Sequence, residues 1–377
     1  MINTPLILGV NLNVTNASSF GGLTINGAIS ETGSRSLTVD NLSSGTVTLS
    51  ASNSYSGGTT LNNGQLTVSD KDAFGTGAVT IQSGGLVQIA TASGEVVNND
   101  IANQGSILFS GQGTLKGTLS GNGSINKTST GANTLVLTGT NTAFSGSITN
   151  VGVLKIGNKS ALGTGTLTLG DGVNTGNFGL NSGNATGVNA VVNNIILNGN
   201  GNTIGNNQGP LELSGVISGA YDLGKNGAGT VILSGTNTYS GGTSVSFGTL
   251  IGNADGCFGT GDITVGLAGT NVVGTLTLNG AYMNDLAMLI LGTNSILNLN
   301  FAGIDTVGGI MIDGTNVVAG TYNSAQLDAM GLGTVSGTGS LTVIPEPATF
   351  LLFGVGGMGV WLIRRNRRKV SDGDAAD

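Results

Sequence analysis

The chain has 377 residues, of which 69 are glycine and only 8% are charged. It has one cysteine and no histidine, which excludes an internal disulfide framework and removes the commonest general base and metal ligand. Residues 1–344 hold 7 basic and 15 acidic side chains, a net charge of −8, so no nucleic-acid partner is expected.

The first ten residues, Met1 to Val10, lack the basic segment and the long apolar core of a secretory signal. Because the C-terminus carries features of an exported protein, described below, we expect the true start to lie upstream. A misplaced start codon or a truncated gene would explain the missing signal.

Three segments of the chain align with one another, at 53–81, 141–169 and 237–265. Each has an aromatic residue near its start and a Gly-Thr-Gly sequence 19 or 20 residues later. These landmarks are Tyr55 and Gly75, Phe144 and Gly163, and Tyr239 and Gly259. The pattern resembles the autotransporter-associated β-strand repeat, also called the passenger-associated transport repeat. That family forms right-handed parallel β-helices in exported bacterial proteins, and the resemblance implies the same fold here.

The residues favour a solenoid independently of the resemblance. Segments such as Ala78-Val-Thr-Ile81 alternate apolar and polar side chains with a period of two, as expected of strands with one buried face. Glycine or Asn-Gly closes most of these segments. We therefore predict a β-solenoid over residues 1–300, with roughly 17 turns of about 20 residues if it extends to residue 340. Asparagines near the turns could form hydrogen-bonded ladders between turns.

The recurring aromatic residues Tyr55, Phe144 and Tyr239 have two interpretations. They either pack in the core and turns, or form an exposed platform that stacks on sugar rings. Cys257 stands where the other segments have alanine, which favours a small buried side chain over a reactive thiol.

Residues 301–344 are predicted to form a β cap that covers the end of the solenoid. Within it, residues 324–330 are the one short helix candidate, with Ser324 as its N-cap and Gly331 after its end.

The last 33 residues have a tripartite order. Pro345, Glu346 and Pro347 come first, and an apolar run at 348–363 follows. A basic cluster comes next and consists of Arg364, Arg365, Arg367, Arg368 and Lys369. This order, over 345–369, resembles the bacterial PEP-CTERM sorting signal, which implies recognition by an exosortase-type protease. Residues 370–377 would form a cytoplasmic tail.

Each part of this tail has a physical rationale. The two prolines keep the backbone extended, so a protease can bind it as a strand. The apolar run can enter a bilayer as a short transmembrane helix, and the basic cluster stops it from crossing. An ordinary permanent anchor and a buried soluble helix are the alternatives.

No catalytic, cofactor or metal-binding residues are predicted. Asp171, Asp255 and Asp313 each precede glycine, which is ordinary turn chemistry. The sequence contains no calcium-binding loop and no phosphate-binding loop.

Three functions remain open. The first is a non-catalytic exported protein, structural or adhesive, which its tail sorts from an inner-membrane intermediate to the outer surface or extracellular matrix of a Gram-negative-type bacterium. The second is a protein that binds or degrades extracellular polysaccharide. The third is an autotransporter passenger, which would need many further membrane-spanning strands after residue 265. The sequence favours the first.

Overall fold

A computed structural model describes residues 1–17, 21–42, 45–181, 189–266, 272–293, 295–332 and 334–344. All of these residues fall within one compact unit. The unit is built almost entirely of short β-strands, because short alternating segments are interrupted at close intervals by glycine and asparagine turns.

The strands of the first part of the chain are β1 Leu6–Leu8, β2 Leu12–Asn16, β3 Leu23–Ile25, β4 Ile29–Glu31, β5 Leu37–Asn41, β6 Thr46–Leu49, β7 Thr59–Val68, β8 Val79–Ile89, β9 Val96–Val97, β10 Ile101–Asn103, β11 Ser106–Phe109, β12 Gly113–Leu115, β13 Leu119–Gly121 and β14 Ser124–Lys127. The strands of the middle part are β15 Thr134–Leu137, β16 Ala143–Phe144, β17 Ile148–Asn150, β18 Gly152–Ile156, β19 Leu167–Leu169, β20 Gly176–Leu180, β21 Asn189–Val191, β22 Ile195–Leu197, β23 Asn202–Gly205, β24 Leu211–Leu213, β25 Ile217–Gly219, β26 Leu223–Asn226, β27 Thr230–Leu233, β28 Thr243–Val245 and β29 Gly248–Gly252.

The strands of the last part are β30 Ile263–Val265, β31 Gly274–Leu278, β32 Met288–Leu291, β33 Ser295–Leu299, β34 Ile304–Val307, β35 Gly309–Ile312, β36 Thr315–Asn316, β37 Gly320–Asn323, β38 Val335–Gly337 and β39 Ser340–Val343. Between β37 and β38 lie helix α1, Ser324–Leu327, and a π-helical segment, α2, Asp328–Leu332.

Strands of successive turns stack side by side into three long sheets, which contain 15, 12 and 7 strands within the described residues. We call them the first, second and third long sheets. Their strand pairs are parallel, except that β36 pairs antiparallel with β35 at the end of the second sheet. This arrangement confirms an all-β parallel β-helix of the right-handed type.

The solenoid has about 14 turns, so the sequence-based estimate of roughly 17 was wrong. The turns are not all near 20 residues long. Hydrogen-bonded groups on successive turns lie 18 residues apart at Ser106 and Ser124, but 30 apart at Gly163 and Asn193. Insertions in the turns lengthen the chain without adding a turn, because they project from the corners and leave the strands in register.

The core is a set of aliphatic columns that run along the solenoid interior. Each inward position of a strand stacks on the equivalent position of the next turn. One column in the first long sheet comprises Leu66, Val87, Ile107, Ile125, Ile148, Leu167, Ile195 and Ile217. All eight side chains are buried, and each buried aliphatic side chain contributes roughly 1.5–3 kcal/mol to stability.

Equivalent strands of the three aligned segments lie in different sheets. The strand that follows the aromatic landmark by about ten residues is part of β7 in the first segment, β18 in the second and β29 in the third. These strands belong to the first, second and third long sheets, respectively. Successive copies are therefore shifted from one sheet to the next around the solenoid. The sequence alignment alone gave no sign of this shift.

The end of the described chain combines solenoid strands with a separate small sheet. Strands β35 and β38 continue the second and third long sheets, whereas β34, β37 and β39 form a sheet in which β37 is antiparallel. The short helix predicted in this region is present, but Ser324 is not its cap. Asn323 caps α1 in a capping box with Gln326, while the Ser324 hydroxyl donates a hydrogen bond to the Gly337 carbonyl.

Candidate functional site

The aromatic landmarks are core residues. Tyr55, Phe144 and Tyr239 are all fully buried, each at 0% exposure. Their rings cannot stack on a sugar from solution, so the structure excludes the platform interpretation for these three side chains. Cys257 is likewise fully buried, and burial raises the pKa of its thiol to about 12, so it remains protonated at neutral pH.

The two tyrosines satisfy their hydroxyls within the core. The Tyr55 and Thr59 hydroxyl oxygens are 2.6 Å apart, and Thr59 Oγ1 donates to the Phe74 carbonyl at 2.8 Å. Tyr239 and Thr243 repeat the same arrangement, also at 2.6 Å. Burial raises the pKa of both tyrosines, so both phenols stay protonated. The threonine therefore exists to partner a buried phenol.

The second segment replaces both members of this pair. Phe144 has no hydroxyl, and Ile148 stands where the other segments have threonine. Both side chains are buried. The site thus has two compatible forms, a hydrogen-bonded Tyr–Thr pair and an apolar Phe–Ile pair.

Phe144→Tyr is expected to destabilise the protein by about 1–3 kcal/mol, because a buried hydroxyl would lack a partner. Adding Ile148→Thr should recover most of that loss, since the pair found at Tyr239 and Thr243 is then rebuilt. Urea unfolding of the two single variants and the double variant, followed by circular dichroism, measures the coupling. Strictly additive effects of the two substitutions would contradict this account.

A buried asparagine two or three residues before each aromatic links three successive turns. We call Asn53, Asn141 and Asn237 the clamp asparagines. Asn141 Oδ1 accepts a hydrogen bond from Leu119 N at 2.8 Å, and its Nδ2 donates to the Ala161 carbonyl at 2.6 Å. The other two make the same pair of bonds, with backbone groups at 29 and 73 and at 217 and 257. These side chains bond to the backbone and not to one another, so they do not form the predicted side-chain ladder.

The glycine landmarks lie against the aromatic landmarks of the preceding turn. Gly75, Gly163 and Gly259 have φ values of 72°, 69° and 66°. A Cβ on Gly163 would lie 2.1 Å from the Phe144 carbonyl oxygen, and one on Gly75 or Gly259 would lie 2.4 Å from the corresponding tyrosine oxygen. Only glycine combines the left-handed backbone with this close approach.

Two lysines are buried at solenoid corners and bind backbone carbonyls. Lys127 Nζ donates to the Ser129 carbonyl, to Ser129 Oγ and to the Val151 carbonyl at 2.5, 2.7 and 3.2 Å. Lys225 Nζ donates to the carbonyls of residues 226, 227 and 247. Burial lowers the pKa of each lysine to about 8, although the surrounding carbonyls favour the charged ammonium.

Lys127→Met is expected to cost about 2–4 kcal/mol, because it leaves the carbonyl oxygens at this corner without their donor. Lys155→Met serves as the matched control, since Lys155 lies on the outer face of β18 and is only half-buried. The control should change the urea midpoint little. Equal effects of the two substitutions would show that the corner contacts contribute nothing.

Asp305 is the acidic side chain most affected by burial. It is 4% exposed, and its oxygens accept hydrogen bonds from Met283 N at 3.1 Å and Thr306 N at 3.0 Å. Burial raises its pKa from 3.8 to about 6, and nearby Asp285 adds to the effect. The folded state therefore holds a proton that the unfolded state has already released between these two pH values.

This proton makes a pH-dependent contribution to stability. It is fully present below about pH 4 and is lost as the pH rises through about 6, a change of up to about 3 kcal/mol. Asp305→Asn should remove that component. The difference between the unfolding free energies of wild type and variant, measured from pH 4 to pH 7, should therefore vary with pH. A difference that stays constant across this range would contradict the assignment.

The acidic residues show turn chemistry and no metal centre. Asp171 Oδ1 accepts hydrogen bonds from Val173 N and Asn174 N, and these bonds to Asn174 chiefly lower its pKa. Within the part of the chain that the structure describes, no three residues of the His, Cys, Asp and Glu types come close enough to hold a metal ion.

The clamp asparagines and the corner lysines were missed as functional positions in the sequence. A signal for the clamp was present, since Asn begins each of the three aligned segments. No local pattern distinguishes Lys127 and Lys225 from surface lysines, because both follow an ordinary strand pattern.

The predicted sorting motif, the apolar run and the basic cluster lie outside the described residues. Among the residues that are described, no helix has the length and apolar character needed to cross a membrane.

Comparisons with known families match both ends of this argument. The model of the passenger-associated-transport repeat matches residues 42–68, 128–154 and 223–251, and the model of the PEP-CTERM protein-sorting motif matches residues 343–368. The chain carries passenger-associated-transport repeats and a PEP-CTERM sorting motif. Each matched repeat contains one clamp asparagine and one aromatic landmark, and the glycine landmark follows within ten residues of its end.

The chain is also similar to one curated protein, the adhesin BmaC autotransporter of Brucella suis biovar 1 (strain 1330). The two are 31% identical over 320 residues, which cover 74% of this chain but only 9% of the adhesin. No solved structure matches the chain.

Proposed function

We propose that the protein is a non-catalytic, exported rod that acts at the bacterial cell surface or in the extracellular matrix as an adhesive or structural component. The observation that carries this proposal is the combination, in one chain, of a passenger-type solenoid with a PEP-CTERM motif directly after it. The solenoid supplies a stiff, extended surface, and the motif supplies an address.

The tail would act in three steps. The apolar run at 348–363 holds an inner-membrane intermediate, and the basic cluster at 364–369 keeps the far end in the cytoplasm. The extended segment at Pro345–Pro347 is then available to an exosortase-type protease on the outer side. This route differs from autotransport, in which a passenger crosses the outer membrane with its own translocating domain.

The adhesive role is supported by the relative, whose name identifies it as an adhesin. The solenoid sheets also present long regular outer faces, and such faces can bind an extended partner at many points. Attachment of a deletion strain and of a complemented strain to abiotic and polymer-coated surfaces tests this role. We expect attachment to fall in the deletion strain. Unchanged attachment, with the protein verified on the surface of the parent strain, would exclude adhesion.

A polysaccharide-degrading enzyme is the alternative that composition and structure disfavour. The chain has no histidine, and the described part of the chain shows separate turn carboxylates without a converging catalytic pair. Incubating the purified protein with acidic polysaccharides should release no unsaturated products. Appearance of such products would replace the proposed function with a lyase activity.

A further inference from the structure

Two outward-facing ranks of side chains run along the first long sheet, beside the buried aliphatic column. The first rank is Thr46, Gln65, Leu86, Ser106 and Ser124, each paired with the next across adjacent turns. The second rank is Thr48, Thr67, Gln88, Leu108, Asn126, Thr149 and Thr168. We call this surface the neutral face, because none of these side chains is ionisable.

The centre of the neutral face is already ordered by its own hydrogen bonds. Gln65 Nε2 donates to Gln88 Oε1 at 2.9 Å, and Gln88 Nε2 donates to Ser110 Oγ at 3.1 Å. Asn126 Nδ2 lies 3.2 Å from Ser106 Oγ, whose hydroxyl is 3.0 Å from that of Ser124. Side chains held in this way lose little conformational entropy when they bind a partner.

Two leucines lie between these polar groups. Leu86 and Leu108 face outward and are half-buried, although most outward positions around them are polar. The face therefore offers a small apolar strip bordered by amides and hydroxyls that can both donate and accept hydrogen bonds. It repeats at the inter-strand spacing of about 4.8 Å.

We infer that the neutral face binds a linear, uncharged polysaccharide laid along the solenoid axis. Sugar rings present C–H surfaces that fit the leucine strip and hydroxyls that match groups with both donors and acceptors. The length of the ranks fits a polymer and not a small molecule. An acidic polysaccharide is disfavoured, because the face has no cation and residues 1–344 carry a net charge of −8.

This inference rests on the proposed surface role and names the partner class for it. The tyrosine and phenylalanine landmarks take no part, since they are buried. A protein partner is less compatible with the neutral face, because protein interfaces are enriched in aromatic anchors, and neither rank contains one.

Affinity electrophoresis of the full chain tests the inference with two matched polymers, hydroxyethyl cellulose and carboxymethyl cellulose, and sedimentation with chitin adds a second neutral polymer. We expect retardation by hydroxyethyl cellulose or co-sedimentation with chitin, with at least tenfold weaker binding to carboxymethyl cellulose. Failure to bind either neutral polymer, or equal binding to the charged one, overturns the inference.

Leu108→Glu should weaken binding to the neutral polymer at least tenfold. Ile251→Glu is the matched control, since Ile251 occupies an outward, half-buried position on the third long sheet, and it should bind as wild type. If Leu108→Glu does not fold, the milder Gln88→Ala with Asn126→Ala should weaken binding at least threefold. Equal binding by the neutral-face and control variants overturns the location of the site.

Antibody labelling of intact cells in the same strains separates the two claims. Protein that is displayed on the surface but binds no neutral polymer defeats this inference and leaves the proposed function intact. Protein that binds the polymer after purification but is never displayed defeats the proposed function alone.

Discussion

Gly163→Ala is expected to destabilise the solenoid by about 3–5 kcal/mol, among the largest effects of any single substitution in this chain. Two costs combine at this position. Alanine is strained at a φ of 69°, a penalty of roughly 1–2 kcal/mol, and its Cβ would lie 2.1 Å from the Phe144 carbonyl oxygen. The backbone of two neighbouring turns must separate to relieve that contact, which disturbs the core beneath them.

Gly131→Ala separates these two costs. Gly131 has nearly the same φ, 72°, but a Cβ there meets nothing within 4 Å. The control should therefore lose only the backbone component. Urea unfolding followed by circular dichroism measures both variants, and a loss at Gly163 no larger than at Gly131 would show that the aromatic and glycine landmarks are not packed as described.

Replacing both Pro345 and Pro347 with alanine is expected to leave most of the protein in the inner membrane, whereas the wild type reaches the surface. Alanine permits a helix to extend through this segment, so the strand that the exosortase requires is no longer held open. Cell fractionation with antibody detection measures the distribution between membranes and medium.

Pro210→Ala is the matched control for the sorting variant. Pro210 lies directly before β24, inside the solenoid region and far along the chain from the motif. Its replacement should leave delivery unchanged. Normal surface delivery of the double variant would contradict the role proposed for these prolines, even if the apolar run and basic cluster remain necessary.

The repeated pattern allowed the fold to be predicted, because each strand obeys a local rule. An alternating segment such as Leu167-Thr-Leu169 buries its apolar side chains whichever turn it belongs to. The number of turns was not predictable in the same way. Insertions such as the long turn that ends at Asn193 add residues without adding strands to the column, and no local pattern distinguishes the two cases.

Contacts between turns account for most of what the sequence did not reveal. Asn141 looks like an ordinary turn residue, yet it bonds to Leu119 on one side and Ala161 on the other. The charge of Lys127 suggests exposure, yet backbone carbonyls from two turns surround it. Both roles depend on residues about 20 positions away, and only the stacking of turns brings these groups together.

The helix cap illustrates a smaller ambiguity. Asn323 and Ser324 are adjacent, and either residue can cap a helix. The presence of Gln326 three residues after Asn323 completes a capping box there. The signal was therefore in the sequence, and the correct reading depended on weighing the partner residue together with the cap.

Immunogold labelling of intact cells, with an antibody raised against the solenoid, tests the central claim most directly. That claim is that passenger-type repeats form a rod which the PEP-CTERM tail delivers to the outside. The account predicts gold particles at the outer surface or in the surrounding matrix, and loss of that label when residues 345–377 are deleted. Label confined to the cytosol of sectioned cells, with the tail still present on the protein, would contradict it.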